Sequence, residues 1–213
     1  MLPDVWRMAD RRARTRRLEA TRHEGVLGSV CDGVAHHVAI DAWFHDAAVF
    51  RSGETRTRDA LRRARGAPKM GLFAHVAWEL CLDGALIRRL GTEPVLRAVR
   101  ASVAAVCPDP HRRAAVLHTA LPPADRAGFE GRVDRILDAI TRGPWVAGYA
   151  TAPGVVERLD GVRARLGFTA LSAADRDAVA RALEALQHDA DSGLDAILAA
   201  RPLVRPGGHA GRL

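Results

Sequence analysis

His75, Glu79 and Asp83 stand at i, i+4 and i+8, and between Lys69 and Arg88 they are the only ionisable residues apart from Cys81. Each step of four advances about 40° around an α-helix, so the three groups point one way. Leu72, Leu82 and Leu86 fall on the same side, which sets the polar groups within an expected core stripe, where burial without partners is costly. The pattern recurs in His37, Asp41 and His45, flanked by Val34, Ile40, Phe44 and Ala48. If the two helices pack antiparallel, three imidazoles and three carboxylates converge. That is the ligand chemistry of zinc, manganese or iron, not of a thiolate site. Helical bundles build metal centres from such inward side chains, and a second carboxylate-rich position could hold a second metal, the arrangement that serves phosphoester hydrolysis. The alternative is a polar layer in which His37–Asp41 and His75–Glu79 merely satisfy each other. Two such triads on the two most apolar helices favour metal, because a structural network rarely needs six ionisable groups.

The elements that must position these groups are helical. Gly25 to Phe50 and Pro68 to Leu90 are rich in Ala, Leu and Val at helical spacing and read as two long helices, with Gly53 and Gly66-Ala67-Pro68 as punctuation and a polar helix from Glu54 to Arg65 between them. Thr92 with Glu93-Pro94 starts a further helix that ends near Pro108, and Asp109-Pro110 opens another. A helix is expected from Asp125 to Thr141, then a Gly-Pro break. Val155, Leu159, Val162 and Leu166 mark an amphipathic helix. Ser172 with Asp175 is a capping signal for a last helix whose Val179, Leu183 and Leu186 face inward, ending near Ala200. The expectation is one compact all-α, multi-helix domain over 1–200, with 201–213 as a flexible tail.

With 213 residues, 48% of them hydrophobic and 27% charged, the chain can bury a core by itself. The formal charge of +7 is carried almost wholly by arginine, and with 5% aromatics and no reader motif it does not point to nucleic acid. Cys31, Cys81 and Cys107 are odd in number and lack C-x-x-C spacing, which fits a reducing cytoplasm and argues against a cysteine site. The apolar stretch from Leu72 to Ile87 raises a membrane question, but its three ionisable groups and its length favour burial in protein. His23, His111, His118, His188 and His209 lack partners and read as surface or boundary residues, and no nucleophile elbow is present.

The segment Gly33-Val34-Ala35-His36-His37-Val38-Ala39-Ile40-Asp41 resembles the histidine, two spacers, isoleucine, aspartate signature of acyl carrier protein phosphodiesterases. Leu2-Pro3-Asp4 is similar to an early aspartate motif of that family, His75 to Asp83 to its second acidic helix, and Trp145, Tyr149, Leu159, Gly161 and Arg165 to a later pattern. The resemblance implies an all-helical fold related to the HD-domain phosphohydrolases, a manganese-type requirement and release of 4′-phosphopantetheine from an acidic acyl carrier protein. It carries over His37, Asp41 and Asp4 directly, and Glu79 as one carboxylate for another. His45 and His75 stand where the family has aspartates, and Leu80 replaces a histidine, which shifts metal preference toward zinc or iron. The expected function is thus metal-dependent phosphoester hydrolysis, with His37, Asp41, His45, His75 and Glu79 as ligands. Asp83 or Asp4 completes the shell or accepts the proton, and Arg165 either neutralises substrate phosphate or is simply solvated. A structural or sensing metal site, and a metal-free scaffold that docks a partner, are the alternatives.

Overall fold

Helix-forming residues dominate the segments between Gly and Pro breaks, and a computed structural model of the chain, which describes residues 2–10, 12–13, 25–64, 69–106 and 127–200, folds them accordingly. Among the described residues there are nine α-helices, one short 3-10 helix and no strand. They are α1 (Leu2–Ala9), α2 (Gly25–Asp46), α3 (Ala48–Arg63), the 3-10 turn Met70–Phe73, α4 (Ala74–Leu90), α5 (Thr92–Val106), α6 (Phe129–Arg142), α7 (Pro144–Gly148), α8 (Ala152–Arg165) and α9 (Ala173–Ala200). The all-α, single-domain expectation holds. The helix expected at Asp109-Pro110 and the tail 201–213 lie outside the described residues.

α4 is the axis. Ala74, Ala77, Trp78, Leu80, Cys81, Leu82, Gly84, Ala85 and Ile87 are all buried, and α3, α8 and α9 pack around them. The stretch Met70–Leu90 is apolar and long enough to cross a membrane, yet in this fold it is the central helix and most of it is covered by protein. Trp78 sets the spacing of its neighbours: a Cβ on Gly53 of α3 would fall 2.0 Å from the Trp78 ring, and one on Gly193 of α9 would meet the same ring at 3.4 Å. Gly53 is therefore not a break between helices, as the sequence suggests. It is a close-approach site inside α3, on the stripe Phe50, Gly53, Thr57 and Leu61.

The first long helix also departs from expectation, ending at Asp46 instead of reaching Phe50. Ala47 takes an extended backbone (φ −58°, ψ 133°) before α3 begins. On one straight helix Phe44 and Phe50 would point about 120° apart, whereas the bend lets their rings meet at 4.8 Å and join the core together. The second starts at Ala74, after the 3-10 turn, and not at Pro68.

A smaller apolar cluster of Val5, Trp6 and Ala9 from α1, Val30 and Val34 from α2, and Phe129, Val133 and Leu137 from α6 sits apart from the main core. α2 spans both, since its Trp43 and Phe44 pack against the main core. The capping reading of the last helix is borne out: Ser172 Oγ accepts from the Asp175 amide at 3.1 Å and donates to the Asp175 carboxylate at 2.7 Å. Val155, Leu159, Val179, Leu183 and Leu186 are buried as the periodicity requires. Leu166 is 51% exposed, because α8 stops at Arg165 and leaves it in the turn. That turn is locked from within, as the buried Asp160 accepts from the Leu171 amide at 3.0 Å and from Arg176 at 2.6 Å. The buried Arg163 lies between the rings of Phe73 and Phe168 and donates to the Thr169 carbonyl.

Overpacking a close contact of this kind costs about 1–3 kcal/mol. Gly53→Ala should lower the stability of the chain by that amount, read from the midpoint of urea unfolding at an unchanged slope; a neutral substitution would mean that Trp78 does not set the α3–α4 distance.

Candidate metal centre

On α4, before the exposed last turn Arg88–Leu90, the residues left uncovered are His75, Val76, Glu79 and Leu86 in part and Asp83 more fully, a strip along a helix whose other side is buried. The sequence placed His75, Glu79 and Asp83 inside the core stripe with Leu72, Leu82 and Leu86. Of these only Leu82 is buried, and Leu72 is 73% exposed. α4 is instead rotated so that Ala74, Ala77, Trp78 and Cys81 enter the core and the ionisable groups keep contact with water, which spares the cost of stripping carboxylates of solvent.

The two predicted triads do not meet along their lengths. The bend at Ala47 brings only the C-terminal end of α2 to α4, so His45 alone of its triad reaches across. His45 Nε2 lies 2.8 Å from Glu79 Oε1, and His75 Nε2 lies 3.2 Å from the same oxygen. The two imidazoles are 4.7 Å apart, both packed on the ring of Phe50. One ligand atom from each of His45, His75 and Glu79 falls within 4.8 Å of the others.

The outer nitrogens are also held. His45 Nδ1 is 3.5 Å from Asp41 Oδ2, and His75 Nδ1 is 3.2 Å from Glu54 Oε2. Each ring therefore has a carboxylate at both nitrogens. Where Nε2 carries the N–H, or the ring is protonated, it donates to Glu79 directly; where the single N–H of a neutral ring sits on Nδ1, the Nε2 lone pair is left to bind a cation beside the Glu79 oxygen. Carboxylates that fix Nδ1–H and aim Nε2 inward are what metal-binding histidines ordinarily have behind them.

Of the five residues expected as ligands, His45, His75 and Glu79 come together, Asp41 stands behind His45, and the half-buried His37 lies two turns farther along α2. Asp4 falls in α1, which packs with α6 and the first half of α2; its side chain is outside the described residues. Glu54 was missed because its helix reads as polar, although it follows Phe50 by four residues and so shares that residue's side. Arg58 pairs with the same Glu54 carboxylate.

Asp83 lies one turn beyond Glu79. Its side chain is exposed, with the body of α4 and its neighbours behind it. That surrounding mass, with the charge of Glu79 added, pushes its carboxyl up to about 6. Tyr149 borders it. Burial raises the Tyr149 hydroxyl, the charge of Asp83 adds to the rise, and Arg158 and Arg165 oppose it. The close approach is made by Gly84, where a Cβ would fall 2.1 Å from the Tyr149 carbonyl oxygen. Arg88 secures the same turn, donating to the Ala150 carbonyl at 3.1 Å while its other nitrogens bind Asp191 and the Gln187 carbonyl of α9. The charges of the expected site residues Asp83 and Arg165 are both felt at Tyr149, though no hydrogen bond joins either to it among the described residues.

Set against known protein families, curated proteins and solved structures, the chain matches none.

In the metal-free chain, the native state holds a proton on Asp83 between the ordinary carboxylate range and about pH 6, where the unfolded chain has lost it. Stability therefore falls as pH rises through that window. Asp83→Asn removes the linkage: the fall between about pH 4 and pH 6 should flatten, and the variant should exceed the parent in thermal stability above about pH 7. Parallel curves for the two proteins would refute the raised carboxyl.

Proposed function

We propose that this chain binds a divalent metal ion, zinc, manganese or iron, through His45, His75 and Glu79 and hydrolyses a phosphoester there. The observation that carries the reading is the convergence of two imidazole Nε2 atoms on one carboxylate oxygen, with both Nδ1 atoms backed by Asp41 and Glu54. Mixed nitrogen and oxygen donors suit those three metals. The side chains of His45, Glu79 and His75 are 28%, 35% and 42% exposed, so the cluster opens to solvent. Three protein ligands with an open side is the pattern of a catalytic site, whereas a structural site closes its shell with a fourth.

A metal held there supplies two things to phosphoester hydrolysis: a lowered pKa for a coordinated water and polarisation of the phosphoryl oxygen. The chain's own groups supply the rest. Asp41 and Glu54 keep the two imidazoles in one tautomer and orientation. Asp83, exposed one turn from Glu79, takes up the released proton on its carboxylate, being ionised above about pH 6. Phe50 packs against both rings and walls one side of the cluster. With no family to lean on, the reading rests on the site itself; the acidic acyl carrier protein that the resemblance implies is one candidate substrate among phosphoesters.

Protein purified without chelator should carry about one metal ion per chain by elemental analysis, and His75→Ala or Glu79→Gln should abolish it with the helical content intact. Asp41→Asn or Glu54→Gln should weaken metal affinity about 10–100-fold without removing the site. Hydrolysis across a panel of phosphoesters should stop on chelation and return with metal. A wild-type chain without metal overturns the whole reading; a metal-loaded chain that turns over no phosphoester overturns its catalytic half.

A further inference from the structure

Gly53 lies against the Trp78 ring, which pins the backbone of α3 beside α4, and Glu54 is the next residue. A fixed backbone still leaves the side-chain torsions of a glutamate free. One hydrogen bond removes little of that freedom, since either carboxylate oxygen can make it while the other stays with water. In Glu54 both oxygens are engaged. Oε2 lies 3.2 Å from His75 Nδ1, and Oε1 accepts from Arg58 Nη2, one turn farther along α3. The Glu54 side chain is 20% exposed and that of Arg58 38%, so the pair sits partly under the surface, where water and salt screen it less than they would an exposed pair.

His45 has no such arrangement behind it. Its Nδ1 lies 3.5 Å from Asp41 Oδ2, the Asp41 side chain is half exposed, and among the described residues no arginine or lysine pairs with that carboxylate. The two imidazoles that meet at Glu79 are therefore held unequally: His75 by a carboxylate that is itself held, His45 by one that is not. Arg58 makes the difference.

We propose that Arg58 is a positioning residue of the metal centre: its guanidinium keeps one oxygen of Glu54, delivers the other to His75 Nδ1, and so sets the ring whose Nε2 meets the metal. The proposal rests on the metal-binding reading above and not on whether the bound metal hydrolyses anything. Its consequence is opposite in sign to that of charge alone. A guanidinium beside a cation site repels the cation, so an Arg58 that acted only through its charge would weaken metal binding, and its removal would tighten it. An Arg58 that holds Glu54 in place strengthens binding, and its removal loosens it.

The test is the zinc affinity of the full chain, measured by competition with a chromophoric chelator, for the parent, Arg58→Ala, Arg58→Lys, Glu54→Gln and the Arg58→Ala, Glu54→Gln double variant. Arg58→Ala should weaken zinc binding about three- to tenfold, less than the loss of a carboxylate directly behind the ring, because it acts one step removed. Arg58→Lys, which can still donate to Glu54, should recover most of that loss. On the Glu54→Gln background, Arg58→Ala should cost nothing further, since the residue through which it acts is already disabled. With cobalt(II) in place of zinc, the visible absorption of the bound metal should change in Arg58→Ala and return in Arg58→Lys, which reports the ligand geometry and not the fold. If the parent binds zinc and Arg58→Ala binds it as tightly or more tightly, or if the double variant binds more weakly than Glu54→Gln alone, the proposal is overturned and the metal centre stands. A parent that takes up no zinc overturns both.

Discussion

The contact on which the rest of this structure depends is the Trp78 indole held between Gly53 and Gly193. It fixes two distances and one angle at once: how near α3 comes to α4, how near α9 comes, and how α4 is turned about its own axis. The angle matters most for chemistry. Trp78 and Glu79 are neighbours in sequence and so point about 100° apart on the helix. With the indole wedged inward, Glu79, His75 and Asp83 have no choice but the remaining uncovered strip. An apolar anchor thereby aims a polar site, although the two share no atom contact that the chemistry uses.

Much of this was legible in the residues themselves. Periodicity identified the inward faces of α8 and α9, and the Ser172–Asp175 signal marked the start of α9 to the residue. The spacing of four that runs through His75, Glu79 and Asp83, and through Asp41 and His45, identified the groups from which a centre is built. What could not be read was the crossing of elements. The break at Ala47 has neither glycine nor proline to announce it; it arises because Phe44 and Phe50 gain more by packing together than the backbone gains by continuing. That one bend splits the first triad, delivering His45 to Glu79 and leaving Asp41 behind it. Gly53 misled in the opposite sense, since a residue that usually interrupts a helix serves here to admit a neighbouring ring. Glu54 belongs to the polar ground of the sequence, and only tertiary packing separates it from other carboxylates.

The charge arrangement has its own logic. The chain carries a formal excess of +7, yet Asp41, Glu54, Glu79 and Asp83 are concentrated along one edge of α2, α3 and α4. That edge draws cations against the sign of the chain as a whole, which is the local polarity a metal centre needs.

The position of α2 gives the molecule a lever. Its 22 residues extend about 33 Å, with Val30 and Val34 rooted in the smaller apolar cluster and His45 at the opposite tip. A tilt of about 5° pivoting at Ala47 would carry the far end of such a rod through about 3 Å. A small change of angle at the tip would therefore be a displacement of side-chain size at the smaller cluster, and the Trp43 and Phe44 rings packed on the main core are what hold that angle.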